Sequence, residues 1–432
     1  MKKQLITALF LTIAATVFAQ DADKLIKQRD VKKIIKTLSA DNMEGRGTFT
    51  RGIENAARYI EGQYGKIGLQ PLSGDNGFRQ NFSMNNSIAE KIQVNINGAE
   101  ITADHVFAIA GASFNWNSPQ DAEVVKISNG PNASAELRTV RRSHKKVLAL
   151  IDPQLEGQFK RISDIASKGI SSIKEPDPAQ QVVCVLGNFD DIKSLSVNVQ
   201  IKTNQKPLFN IAGMIPGKTK PDEYVIFSGH YDHLGIIAPV KGDSIANGAD
   251  DDASGTTAVI SLAKYYKKLN NNARTLIFVA FTAEEIGEYG SQYFATQVNP
   301  DKVVAMFNIE MIGKPSKWGQ NSAFITGFER SDFGTILQKN LNGTSFHFYP
   351  DPYPDQNLFY RSDNASLAAV GVPAHTISTD QIDKDPYYHT VKDELSTLDV
   401  NNITSTIRAI ALSSRSIVSG EDTPKRVPKL ER

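Results

Sequence analysis

The chain holds one cysteine, Cys184, in 432 residues. An intrachain disulfide is therefore excluded, and the fold rests on its core, on metal, or on both. Charge of one sign is also lacking: 48 Lys and Arg stand against 47 Asp and Glu. Without a basic field there is no footprint for nucleic acid, and no acidic tail is present. Beyond the N-terminus no second apolar run is long enough to span a membrane. The G-x-S-x-G elbow of serine hydrolases is absent, as is the H-E-x-x-H motif of one class of zinc proteases. A KDEL tetrapeptide at Lys392–Leu395 is internal and cannot act as a retention signal.

The N-terminus carries what the rest lacks. Lys2 and Lys3 precede an apolar stretch from Leu5 to Phe18, and Val17 and Ala19 suit the cleavage positions. This predicts an export signal over 1–19, cut before Gln20, and places the mature chain in the periplasm or outside the cell. The stretch is too short for a full span, and no cysteine follows it for lipid attachment.

Three textures succeed one another along the chain. Apolar residues at helical spacing predict helices from Leu25 to Leu38 and from Ile53 to Ile67. From about 83 to 205, short alternating runs broken by Asn-Gly and Gly-Pro turns read as an inserted β-rich segment. After Pro207, apolar strands (Tyr224–Phe227, Leu276–Phe281, Ala305–Ile309, Ala374–Ile377) alternate with helices such as Ser254–Leu269. That alternation predicts an α/β fold: a mostly parallel, mixed sheet with helices on both faces. The residues after Gly420 form a polar tail, 421–432.

In open α/β sheets, ligands bind beyond the carboxyl ends of the strands. After Phe227 come His230, Asp232 and His233. A helix is opened by Asp250-Asp251-Asp252. Phe281 is followed by Glu284-Glu285, Ile309 by Glu310, and Tyr387-Tyr388 by His389. Each group alone has a plain structural reading, as a helix cap or a solvated pair. Together they are the ligand types of a first-row metal gathered where a site would be built, and adjacent carboxylates after an apolar strand are costly without a cation. Two zinc ions, three ligating carboxylates and a bridging hydroxide would be near neutral. A neighbouring carboxylate, Glu284, would take and return the proton of water. Asp232, two residues after His230, is placed to hold its imidazole.

The succession GHYDHLG, GADDDASGT, FTAEEIGEYGS, NIEMIG and YYHTVKDELSTLD resembles peptidase family 28 of the MH clan. These are cocatalytic zinc aminopeptidases, related to glutamate carboxypeptidases and glutaminyl cyclases. DNMEGRGTFTRGIENAARYIEGQYGKIGLQPL and FYRSDNASLAAVGVPA are similar to further family segments, so the resemblance spans roughly 25–72 and 210–399. It implies a zinc peptidase domain from 20–82 and 206–420, and peptide substrates. It also implies two zinc ions. Asp251 would bridge them, His230 and Glu310 would complete one site, and Glu285 and His389 the other. Glu284 matches the general base. His233 and Asp250 match no ligand. Tyr388 and Asp393 flank His389, as substrate contacts, outer-shell partners or simple packing. The family has Asp where this chain has Glu310, which keeps the carboxylate and adds one methylene. The 83–205 segment has a weak likeness to a protease-associated domain. Carboxypeptidase or glutaminyl cyclase activity on the same fold stays open, as does a metal-bearing binding module without catalysis. Oligomeric state and the choice of zinc over cobalt or manganese are not legible.

Overall fold

The computed structural model describes residues 22–430 apart from 73 and 75. The expected export signal lies outside the described residues. No described helix is long and apolar enough to cross a membrane. The described residues form two compact units, one of those up to 81 with those from 208 onward, the other of residues 82–207.

In the large unit, helix α1 (Gln28–Leu38) buries Val31, Ile34, Ile35 and Leu38, the three- and four-residue spacing that makes one helical face. Helix α2 (Arg51–Ile67) starts where the Thr50 side chain accepts from Gly52 N and stops at left-handed Gly68. Strands β1 (Arg79–Ile96) and β2 (Leu195–Ile215) are the long strands through which the chain leaves and re-enters this unit.

The central strands are β3 (Lys220–His230), β4 (Arg274–Phe281), β5 (Val303–Ile309), β6 (Ser322–Ile325), β7 (His347–Pro350) and β8 (Ala374–Ser378). Their order is β7-β6-β8-β5-β3-β4, and the C-terminal end of β2 pairs beyond β4. β3 runs parallel to both β4 and β5, and β5 parallel to β8. Antiparallel pairing occurs at β2–β4 and β6–β8. Every residue of β4 is buried, because both faces of the sheet are covered. Val225, Phe227, Phe278 and Phe307 enter the core on one face, while Ile226, Ile277, Val279 and Met306 enter another core on the opposite face. Phe227 stacks on Phe278 and Phe307, with ring centroids 5.5 and 4.9 Å apart.

Helix α3 (Ala253–Leu269) begins with the Asp252 carboxylate accepting from Gly255 N. A Cβ at Gly255 would collide with the Ile309 carbonyl oxygen, so glycine lets the start of α3 lie against the end of β5. Helix α4 (Val400–Ser413) is capped by Asp399, which accepts from Asn401 N and Asn402 N. The sequence reading missed β6 and β7, four-residue strands with too few alternations to register.

The smaller unit has a four-stranded sheet ordered Val106–Ala110, Gln181–Leu186, Lys146–Ile151, Glu123–Ile127. It also contains helices Ala133–Arg141 and Glu156–Ser167, which the β-rich reading passed over. Leu137 and Phe159 from these helices pack on one face of the sheet, with Cys184 buried beside them. Trp116, Val94 and Val197 pack on the other.

Candidate metal centre and active site

Parallel strands end on the same edge, and the candidate residues stand there. His230 is the last residue of β3 and is 1% exposed. Glu284 and Glu285 follow β4, Glu310 follows β5, and Asp251 lies in the turn that starts α3. His389 sits in a loop with φ 56° and is more open to solvent, with 37% of its side chain exposed.

Asp251 occupies the middle. Its Oδ1 is 3.1 Å from His230 Nε2, and its Oδ2 is 3.1 Å from His389 Nε2. His389 Nε2 is also 3.1 Å from Glu285 Oε2, and His230 Nε2 is 4.0 Å from Glu284 Oε2. Glu310 accepts a hydrogen bond from the Ser362 hydroxyl. Burial pushes the Glu310 carboxyl up to about 7, with Asp251 adding to the effect against the pull of His230. Burial likewise drives Glu284 well above the ordinary carboxylate range, and Glu310 and Asp363 reinforce it. Burial opposes charge on His230, yet Glu284 and Asp251 hold it well above the usual imidazole value.

Asp232 stands differently from the sequence expectation. The Nδ1 of His230 meets the main-chain oxygen of Asp232 at 3.1 Å, while the nearer carboxylate oxygen is 3.8 Å away. The carboxylate instead accepts from Glu284 N at 3.1 Å, Glu285 N at 3.4 Å and Thr48 Oγ1 at 3.1 Å. It therefore fixes the main chain that carries both glutamates.

Several residues of the cluster were passed over in the sequence. His233 Nδ1 lies 2.6 Å from Glu285 Oε1 and 3.8 Å from Asp251 Oδ2. His233, Asp251 and Glu285 bring ligand atoms within 4.8 Å of one another. Its place three residues after His230 was the available signal. Asp252 accepts from His230 N, Gly255 N and Met311 N, joining the ends of β3 and β5 to α3. Asp393 accepts from Asp250 N at 2.9 Å and Asp251 N at 3.0 Å, so it positions the main chain of Asp251. Arg46 is fully buried and donates to the carbonyls of Tyr231, Leu38, Asn247, Gly248 and Asp251. Tyr388 stacks on the His389 ring, with centroids 3.9 Å apart.

The donor set fits a divalent cation. Imidazoles, not Lys or Arg, stand opposite the carboxylates of Asp251 and Glu285. The Nε2 of His233 is buried without a hydrogen-bond partner, and that of His230 faces only carboxylates, Asp251 at 3.1 Å and Glu284 at 4.0 Å. Buried imidazole nitrogens beside crowded acids suit a cation as their common partner. Imidazole and carboxylate ligands suit zinc among first-row metals. Two depressions flank the centre. One includes Glu310 and Tyr388 in its wall, and the other runs past His233 and Glu285 along Leu234, Ile236 and Ile286.

The profile of peptidase family M28 matches residues 210–413. Leucine aminopeptidase 1 of Ajellomyces capsulatus (strain H88) is 28% identical over 210 residues, 45% of this chain and 52% of that protein. A probable zinc metalloprotease of Pyrenophora teres f. teres is 34% identical over 105 residues, 24% of this chain and 22% of that protein. The chain thus spans about half or less of the length of these curated relatives. An aminopeptidase from Aneurinibacillus sp. strain AM-1 shares the fold, with a TM-score of 0.55 and 17% identity over 96% of this chain and 97% of that one. A peptidase M28 precursor from Shewanella amazonensis does so too, with a TM-score of 0.55 and 15% identity over 97% and 100%. Residues 210–413 are thus similar to peptidase family M28.

Proposed function

We propose that this protein is an exported, zinc-dependent aminopeptidase that removes N-terminal residues from peptides with two zinc ions per chain. The observation that carries the reading is the placement of Asp251, whose two oxygens face His230 on one side and His389 on the other. His230, Asp251 and Glu310 would hold one ion, and Asp251, Glu285 and His389 the other. When bound, the metal pair supplies Lewis acidity toward a carbonyl and lowers the pKa of water toward about 7.

The chain's own residues do the rest. Glu284 is the general base. Its side chain is 13% exposed, so solvent reaches it, and Asp232 locks its main chain in place. It takes a proton from water and returns one to the departing amine. Asp393 and Arg46 hold the loop that presents Asp251. Ile236 and Ile286 offer apolar contact for the rest of the peptide. Export rests on the Lys2–Ala19 pattern alone.

The test is digestion of a pool of unmodified peptides, with and without a zinc chelator, read by mass spectrometry beside a metal count. Chelator-sensitive loss of single N-terminal residues and two zinc per chain support the reading. C-terminal loss moves the activity to carboxypeptidase. Ammonia loss from N-terminal glutamine with one zinc moves it to cyclisation. Bound zinc with no product leaves a binding module.

A further inference from the structure

The depression beside Glu310 and Tyr388 is lined in part by a buried acid without a hydrogen-bond partner. Its walls include Phe324, Leu358 and Ile382, and Asp380 is also part of its lining. Asp380 is 4% exposed, and neither of its carboxylate oxygens has a hydrogen-bond partner. A buried acid without donors is costly, so such a group marks a place where a ligand donates.

The neighbouring charges leave a deficit. Asp250, Asp380 and Asp385 bring carboxylate oxygens within 4.8 Å of one another. Lys314 stands among them, but its Nζ contacts Asp250 at 3.0 Å and Asp385 at 2.5 Å. Three acids therefore share one ammonium, and its short contacts go to the two acids other than Asp380. Arg361 also lines the depression, but it is exposed and donates to Gln356, 3.3 Å to its carbonyl and 3.1 Å to its Oε1. Asp380 is thus the buried acid of the three left without a close cation.

The geometry points to this cavity as the pocket for the side chain of the residue released, with Asp380 selecting a basic one, lysine or arginine. The inference rests on the aminopeptidase reading. A long basic side chain suits the lining, since its methylenes pack on Phe324, Leu358 and Ile382 while its head meets the acid. Glu310, a proposed metal ligand, shares the wall, so a side chain here would leave its own carbonyl beside the metal centre.

The test compares the zinc-loaded full chain with its Asp380→Asn variant on four peptides that differ only in an N-terminal lysine, arginine, norleucine or glutamate. Norleucine keeps the stem of lysine and lacks the ammonium. In the parent protein, kcat/KM for lysine and arginine should exceed that for norleucine by at least about tenfold. The variant should lose that margin and keep its norleucine rate within about twofold, which also shows that it folds. Equal rates for lysine and norleucine, a preference for glutamate, or an equal loss on all peptides would overturn the assignment. So would a third metal ion per chain that the variant fails to bind. Where no peptide loses an N-terminal residue, it is the aminopeptidase reading that has failed. Calorimetry with free lysine and norleucine then decides the pocket: tighter lysine binding abolished in the variant upholds it, and equal binding sinks it.

Discussion

The Nδ1 of His233 lies 2.6 Å from the Oε1 of Glu285. A ring held this close fixes the direction of a carboxylate whose other oxygen faces His389. Partners that orient a metal ligand contribute about 10–100-fold to metal affinity. His233→Ala should weaken zinc binding by that order in chelator competition, without changing the number of ions held at saturation. An unchanged affinity would reduce His233 to packing.

Glu284 is assigned to proton transfer and to no metal. Glu284→Gln should lower kcat by about a hundredfold or more while zinc content and melting temperature stay near those of the parent. If turnover survives, or if the metal is lost with it, the assignment is wrong.

Arg46 connects the segment before α2 to the loops that follow β3 and precede α3 through five main-chain carbonyls. Removing it leaves those buried acceptors unsatisfied. Arg46→Ala should cost at least about 3 kcal/mol in urea unfolding of the zinc-loaded protein. A loss below about 1 kcal/mol, on the scale of an exposed substitution, would show that water replaces it.

His375 gives a pH signature away from the metal centre. It is fully buried, stacked on Phe333 at 4.7 Å, with Nδ1 2.8 Å from the Thr326 carbonyl and Nε2 2.8 Å from the Ser331 hydroxyl. Burial pulls its pKa down to about 4 from 6.5, the Thr326 carbonyl resisting. The unfolded chain therefore binds more protons between pH 6.5 and 4, and stability falls as pH drops through that window. The loss is on the order of 3 kcal/mol at pH 4. His375→Gln should flatten this part of the stability profile relative to the parent. Parallel profiles would refute the assignment.

Metal removal should loosen the large unit, since the carboxylates around Asp251 lose their counter-charge. A chelator should lower the melting temperature, and added zinc should restore it. Glu310→Ala should reduce bound zinc from two per chain to one, whereas Glu310→Asp should keep two. If alanine there leaves both ions in place, Glu310 is no ligand.

Much of the site was legible in the order of residues along the chain. Continuous apolar runs such as Leu276–Phe281 announce strands buried on both faces, and the polar residues that end those runs must then lie along one edge. Strand periodicity is local, and the placement of His230, Glu285 and Glu310 along that edge follows from it once the strands run parallel, whereas Asp251 in a turn and His389 in a loop are brought there by the tertiary structure. The Asp232 expectation was local too, and the structure gives the contact a different form: the main chain after His230 turns the Asp232 carbonyl to 3.1 Å from the imidazole, with the carboxylate at 3.8 Å.

The sequence by itself determined the histidines and carboxylates that follow the strands, the mostly parallel α/β class and the helices with regular apolar spacing, because each is written within a dozen neighbouring residues. The tertiary structure alone decided that His233 reaches Glu285, that Arg46 spans to Gly248, and that Asp393 holds the main chain of Asp251. It alone left Asp380 without a partner in its pocket. Those relationships join residues far apart in the chain through buried hydrogen bonds and unmet charges. Their strength comes from the exclusion of water, which exists only once the layers have packed.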